Sequence, residues 1–152
     1  MPTLFDINVE AIAPSIDSAS KKLDKALSFL RFAKKAETLK DGEENIYNII
    51  YDAARISCEA ILSVFGYRVK KSSQGHHYVV IDVANRLMEG KLRNEFIRIQ
   101  KMRKKRNKLE YGDFDQISEQ ELKQAYADAL MLAKAVGKLI EENNPNQNLK
   151  LL

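Results

Sequence analysis

The stretch IYNIIYDAARISCEAILSV, which spans residues 46–64, decides the fold class of this chain. Apolar residues recur in it at every third or fourth position, and this spacing places them on one face of an α-helix. They are Ile46, Ile49, Ile50, Ala53, Ile56, Ala60 and Val64. Gly66 follows as a helix stop signal, and Asp41 precedes the stretch as a residue that can cap its start. The stretch therefore predicts a long helix with a buried face.

The same periodicity occurs in four further segments, most of them separated by glycine. In the last segment, Ser118 and Glu121 have the spacing of a capping box, which marks the start of a helix. The run Val79-Val80-Ile81 is typical of a strand, but it continues at helical spacing, so we interpret it as helix. The four predicted helices cover about residues 15–38, with Ser15 as N-cap, then 76–88, 91–111 and 119–142.

Proline, the strongest helix breaker, occurs only near the ends, at Pro2, Pro14 and Pro145. A chain of 152 residues has the usual length of one domain. It can bury roughly 70% of the surface that its unfolded form exposes. These observations predict an all-α, single-domain, up-down bundle of about five helices. We expect the bundle over residues 15–142, an N-terminal extension over 1–14, a polar loop over 67–74 and a flexible tail over 143–152.

The composition excludes several classes of protein. No apolar run reaches roughly 18 residues, so neither a membrane span nor a membrane partner is expected. The first 14 residues contain Asp6 and Glu10 and lack the basic start of a secretory signal. The single cysteine, Cys58, lies in an apolar helical pattern, which indicates a packed thiol and a reducing compartment. We therefore expect a cytoplasmic protein.

The sequence also lacks the motifs of metal and cofactor sites. His76 and His77 are adjacent, and no cysteine, histidine or acid lies at a familiar ligand spacing from them. On a helix their side chains point about 100° apart, so we interpret them as a helix-start pair with one histidine packed or hydrogen-bonded. No glycine-rich phosphate loop and no nucleophile elbow is present. The expectation is a protein without a metal or a cofactor.

The fourth predicted helix is strongly basic. Between Lys91 and Lys108, nine lysines and arginines accompany one acid, Glu95, so the segment carries a charge of +8. The whole chain carries +4, which leaves −4 for the remainder. A solvated helix usually mixes both signs, so this asymmetry indicates an anionic partner. The inward face of the helix is predicted to be Leu92, Phe96, Ile99 and Met102, with Leu109 as a further candidate.

Several side chains of this helix can bind phosphate. Arg103, Asn107 and Tyr111 are four positions apart and form a stripe along one side, while Arg106 lies beside Asn107 and can pair with Glu110. One guanidinium group can donate two parallel hydrogen bonds to the oxygens of a phosphate, and a tyrosine ring can stack on a base. The predicted nucleic-acid-binding residues are Arg98, Lys101, Arg103, Lys104, Lys105 and Lys108.

Three segments, taken in order, resemble the HEPN superfamily of small helical bundles. They are residues 51–62, YDAARISCEAIL, then Gly75-His76-His77, then the stretch from Arg103 to Tyr111. The resemblance covers about residues 15–142 and is closest to the branch in which Gly-His-His opens the third helix. It implies an up-down bundle, a homodimer with the two motif helices facing each other, and RNA as the usual target.

The active members of that superfamily are metal-independent ribonucleases with an arginine, a polar residue and then a histidine. Carried over to this chain, the resemblance implies that Arg106 is the arginine and Asn107 the polar residue, and Tyr111 stands in the histidine position. A tyrosine with a pKa of about 10 can donate a proton at neutral pH but is a poor base. Loss of general acid–base help lowers rates by about 10²- to 10⁴-fold.

These considerations lead to three hypotheses. The first is a dimeric RNA- or polyanion-binding protein that is weakly active or inactive as a nuclease. The second is a toxin-like, metal-independent endoribonuclease in which Arg103 and Arg106 hold the phosphate and Tyr111 acts as the acid. The third is a protein-interaction module of a toxin–antitoxin or nucleotidyltransferase pair. In the dimer, acids would separate the two basic helices, and the candidates are Asp113, Asp115, Glu119 and Glu121.

Overall fold

The computed structural model describes residues 8–38, 42–71, 75–110 and 117–144, with only the backbone described at positions 109 and 110. Over these ranges the chain forms five helices and two short strands. The helices are α1 (Ile16–Ala36), α2 (Glu43–Phe65), α3 (His76–Leu87), α4 (Arg93–Glu110) and α5 (Glu119–Asn143). The strands are β1 (Val9–Ala11) and β2 (Tyr67–Val69). The prediction of an all-α, single-domain bundle is confirmed.

Helix α2 lies at the centre and contacts each of the other four helices. Small residues let these neighbours approach its backbone closely, and Ala53, Ala54, Cys58 and Ala60 are all fully buried. Burial also raises the pKa of the Cys58 thiol, as expected of a packed cysteine. The predicted apolar stripe is buried apart from Ile49, which is half-buried.

The ends of the helices follow local sequence signals. Ser15 caps α1 by accepting a hydrogen bond from the Ser18 N–H, and the capping box of α5 is formed as predicted. Gly42 is the N-cap residue of α2, without a side-chain hydrogen bond, and the predicted cap Asp41 lies outside the described residues. Gly66 ends α2 in the left-handed conformation, with φ +83°, as the sequence predicts.

The two strands form a small antiparallel sheet with Glu10 opposite Arg68. The predicted N-terminal extension therefore contains β1, and the predicted polar loop 67–74 begins with β2. Strands of three residues are too short to show the alternation from which a strand is recognised. Next to the sheet, the Ile12 N–H donates a hydrogen bond to the Gly66 carbonyl, so the chain before α1 is fixed to the end of α2.

Helices α3 and α4 pack against α2 with the faces that the sequence predicted. Residues 79–81 lie in α3 and are buried, so their interpretation as helix is confirmed. In α4, Phe96, Ile99 and Met102 are buried, and Leu92 is half-buried. Among the described helices, none combines the length and the apolar composition that a membrane crossing needs.

Candidate functional site

A polar stripe runs along one side of the central helix. Asn48, Asp52, Arg55 and Glu59 are spaced by four, three and four positions, which places them on one face of α2. All four side chains are half-buried, although the helix around them is almost entirely apolar and buried. A half-buried polar stripe of this kind must find partners on the neighbouring helices or in a ligand.

Asp52 connects this stripe to α4. Its Oδ1 atom lies 3.8 Å from Nη2 of Arg55 and 3.5 Å from Nη2 of Arg106. Arg55 also donates a hydrogen bond of 3.1 Å from Nη1 to Glu59. One carboxylate thus holds two guanidinium groups, one from α2 and one from α4, at the same place.

The ring of Tyr51 lies beneath the guanidinium group of Arg106. Its side chain is fully buried, and the guanidinium carbon of Arg106 lies 5.2 Å from the centre of its ring. Burial is the main cause that raises the pKa of Tyr51, so its phenol stays protonated at neutral pH. The hydroxyl of Tyr51 can therefore act as a hydrogen-bond donor.

His77 joins the group from the start of α3. Its ring centre lies 6.2 Å from that of Tyr51 and 6.2 Å from that of His76, and both histidines are half-buried. Burial lowers the pKa of His77, and the charges of Arg55 and Arg106 lower it further. The imidazole is therefore neutral at pH 7, the form that can accept a proton. The expectation of a packed histidine holds for His77, which packs among charged groups.

We call Tyr51, Asp52, Arg55, His77 and Arg106 the α2–α4 cluster. Three buried polar atoms on its α2 side have no hydrogen-bond partner among the described residues: Asn48 Oδ1, Tyr51 Oη and Arg55 Nε. A buried polar group without a partner costs about 1–3 kcal/mol, so native proteins contain few of them. Their concentration on one face marks this side of α2 as a candidate site.

Three of the predicted binding or catalytic residues of α4 form ion pairs within the chain. Arg98 donates two hydrogen bonds, of 2.8 and 2.9 Å, to the carboxylate of Asp128 on α5. Lys105 on α4 forms an ion pair with Glu121 on α5, and this bond lowers the pKa of the Glu121 carboxyl. Arg106 pairs with Asp52, as described above. These three charges fasten α4 to its neighbours.

The other predicted residues of α4 are half-buried, exposed or outside the part of the chain that the structure describes. Arg103 is half-buried, with its guanidinium carbon 5.5 Å from the ring centre of Tyr78. Tyr111 falls outside the described residues, and so does the predicted pairing of Arg106 with the Glu110 side chain. Four predicted residues are exposed to solvent: Lys101, Lys104, Asn107 and Lys108.

The α2 side of the cluster was not among the binding or catalytic residues predicted from the sequence. Residues 51–62 and the Gly-His-His segment contributed only to the family resemblance. A signal was present, since polar residues at four positions of one face interrupt an otherwise apolar helix. Within the described parts of the chain, no group of three histidine, cysteine or acidic side chains could hold a metal ion.

Comparisons of the chain with protein-family models, with curated proteins and with solved structures find no match, so the function must be argued from the site itself.

Proposed function

We propose that this chain is a HEPN-like, homodimeric RNA-binding protein, and that the α2–α4 cluster receives a phosphate group of the RNA. The observation that carries the proposal is the pair of guanidinium groups, of Arg55 and Arg106, that lie beside the Asp52 carboxylate. Guanidinium groups bind phosphate oxygens through strong, charge-assisted hydrogen bonds. Because Asp52 fixes both groups in advance, little side-chain entropy remains to be lost when a phosphate binds.

Both arginines keep some contact with solvent. The side chains of Arg55 and Arg106 are each 20% exposed, and a phosphate offers several acceptor oxygens to their N–H groups. The exposed lysines of α4, at positions 101, 104 and 108, extend the positive surface along the helix. A strand that places one phosphate in the cluster can therefore place its neighbours along α4.

The proposal is tested by the anisotropy of a labelled single-stranded RNA titrated at several salt concentrations. Affinity should fall as salt rises, with a log–log slope of about −0.7 for each neutralised phosphate. The double variant Arg103→Ala/Arg106→Ala should reduce both the affinity and the slope. The control Lys21→Ala/Arg31→Ala removes the same charge from exposed positions of α1 and should change both much less. Undetectable wild-type binding, or equal losses in the two double variants, would contradict the proposal.

A second candidate function is metal-independent cleavage of the bound RNA, and the state of His77 favours it. A neutral imidazole beside Arg106 is suited to take the proton of an RNA 2′-hydroxyl. The 2′-oxygen would then form a bond to phosphorus while the bond to the 5′-oxygen breaks, leaving a cyclic phosphate. Arg106 would stabilise the charge of the transition state, and Tyr111 would give its proton to the departing 5′-oxygen.

This candidate is tested by incubating the protein with single-stranded RNA in EDTA. Cleavage by the wild type that falls about 10²- to 10⁴-fold in His77→Ala would support His77 as the base. Tyr111→Phe should slow the reaction, and Tyr111→His should preserve or raise it. If neither the wild type nor Tyr111→His cuts RNA while both remain folded, the cluster serves for binding alone.

A further inference from the structure

A groove with a volume of about 300 Å³ lies between α3 and α4, outside the α2–α4 cluster. Its apolar walls include Tyr78 and Ile97, which are 39% and 43% exposed. Lys101 and Lys104 also line it and are exposed, and the acidic lining residue Asp82 is paired with Arg86. The groove therefore combines exposed apolar side chains with positive charge, a combination typical of surfaces that bind single-stranded nucleic acids.

Tyr78 is held in a fixed position within this groove. The Gln100 side chain donates a hydrogen bond of 3.0 Å to the Tyr78 carbonyl and accepts one of 3.0 Å from Nε of Arg103. Arg103 in turn lies over the Tyr78 ring. Gln100 thus connects the backbone of Tyr78 to Arg103, whose guanidinium packs on the Tyr78 ring, and together they form one platform. A platform that is already ordered loses little entropy when a planar ligand stacks on it.

The groove also contains a polar group without a partner. Asn85 lines it, and the Oδ1 atom of Asn85 is buried with no hydrogen-bond partner among the described residues. A side-chain amide can accept a hydrogen bond from an amino group or, when turned over, donate one to a carbonyl. The edge of a nucleobase carries such groups. An apolar partner would leave Asn85 unsatisfied, so the groove favours a ligand that is flat and polar at its edge.

Arg103 relates the groove to the α2–α4 cluster, because its guanidinium lies over the Tyr78 ring and its charge also opposes the effect of burial, which raises the pKa of Tyr51. Tyr78 follows His77 directly in the chain, and Arg103 precedes Arg106 by about one turn of α4. A strand with one phosphate in the cluster therefore has an adjacent position in which a base can leave the stack of its neighbours. The exposed lysines at 101 and 104 can meet the phosphate that follows this base.

We propose that this groove is a nucleobase-binding subsite, in which one base stacks on the exposed part of the Tyr78 ring and its edge bonds to Asn85. The inference rests on the proposed function and adds that the RNA must be single-stranded. Bases of an A-form duplex are stacked on their neighbours, and side chains cannot reach them through its narrow major groove. A single strand exposes each base to an aromatic side chain.

The subsite is tested with two labelled probes of equal length and equal phosphate number, an oligoadenylate and the same ribose-phosphate chain without bases. Stacking of one base should make the wild type bind the oligoadenylate roughly 5- to 150-fold more tightly. Tyr78→Ala should abolish most of this preference and leave the salt slope unchanged, because no phosphate contact is lost. Tyr78→Phe should keep it. The control Phe32→Ala removes an exposed ring from α1 and should have no effect.

A second readout needs no variant. The fluorescence of 2-aminopurine in an otherwise identical strand should be quenched by the wild type if a base stacks in the groove. Equal, salt-dependent binding of both probes would overturn the subsite and leave the proposed function intact, while binding of neither would overturn both. A Tyr78→Ala protein that keeps the base preference but changes its mass in light scattering would identify the groove as a self-association surface instead.

Discussion

Asp128 shows how one residue changes the interpretation of a basic helix. It is 3% exposed, and its carboxylate accepts hydrogen bonds from Arg98 and Gln124. A buried carboxylate is tolerated only when it is paired. Arg98 was predicted to bind nucleic acid, and its guanidinium also has a partner inside the chain. This pair joins α4 to α5.

We expect Asp128→Asn to lower the free energy of unfolding by about 1.5–3 kcal/mol, because hydrogen bonds to a charged group are lost in a buried position. Urea denaturation followed by circular dichroism measures this. Asp17→Asn is the control, since Asp17 forms an exposed pair with Lys21 that is worth about 0–1 kcal/mol. Similar losses in the two variants would show that the Asp128 pair contributes no more than a surface pair.

His77 should make the stability of the protein depend on pH. Its pKa is lowered in the folded state by burial and by Arg55, Arg106 and His76, against the opposite effect of Asp52. The unfolded chain therefore binds more protons than the folded one as the pH falls below the ordinary pKa of histidine, about 6.5. The contribution of His77 to the free energy of unfolding is therefore complete above that pH and is lost as the pH falls below it.

The measurement is urea denaturation at a series of pH values between neutrality and the onset of carboxyl titration. We expect the unfolding free energy of the wild type to decrease as the pH falls through this range, and the decrease to be smaller in His77→Gln. The variant His76→Gln removes only one of the smaller causes of the lowered pKa of His77, so it should change the profile less than His77→Gln does. If His77→Gln and the wild type have the same pH profile, the imidazole does not occupy the environment described.

At the scale of the elements, α4 illustrates what a local pattern can and cannot predict. The spacing of Phe96, Ile99 and Met102 predicted its buried face correctly. The partners of its charges were not predictable, because Arg98 and Asp128 lie 30 positions apart in the sequence. Helical periodicity acts over a few residues and carries no information about which helix packs beside it.

The α2 side of the site was missed for a related reason. Polar residues at positions 48, 52, 55 and 59 were outnumbered by the apolar residues around them, so the pattern indicated a core helix. Such a helix is recognised as part of a site only when the charges that meet it are known. His77 could not be placed for the same reason, since its neighbours come from two other helices.

The close contact between the end of α2 and the chain before α1 can be tested by comparing two glycines. Gly66 and Gly90 have φ values of +83° and +80°, but a Cβ atom at Gly66 would lie 2.7 Å from the Ile12 carbonyl oxygen, whereas one at Gly90 would meet no atom within 4 Å. Alanine at either position suffers the left-handed strain of about 1–2 kcal/mol. We expect Gly66→Ala to destabilise the protein clearly more than Gly90→Ala in urea denaturation. Equal losses would mean that the contact with Ile12 relaxes without cost.

At the scale of the whole molecule, the proposed dimer would bring two basic helices together. The pairs with Asp52, Glu121 and Asp128 partly offset the charge of α4 within one chain. One acid expected to separate the two helices, Glu121, is thus engaged inside its own subunit. Asp113 and Asp115 lie outside the described residues. Any repulsion between the facing helices of the proposed dimer would be screened by salt.

We expect light scattering at a concentration on the order of tens of micromolar to give twice the chain mass of 17.4 kDa. The dimer should become tighter as salt is raised, while binding of RNA becomes weaker, because one interaction brings like charges together and the other opposite charges. A monomer at every salt concentration would contradict the prediction. A dimer that dissociates with salt would place other surfaces at the interface.

The small sheet of β1 and β2 also bears on the order in which the molecule is assembled. Its Glu10–Arg68 pair joins positions 58 apart, so it closes a length of chain that contains all of α1 and α2. During synthesis the N-terminal parts of a chain emerge first. Strand β1 therefore cannot form its hydrogen bonds until β2 has emerged from the ribosome, and by then both helices have been synthesised. The part of α2 that carries Asp52 and Arg55 can therefore pack against α1 before α4 is translated. Arg106, which completes the α2–α4 cluster, is added last to a helix that is already folded.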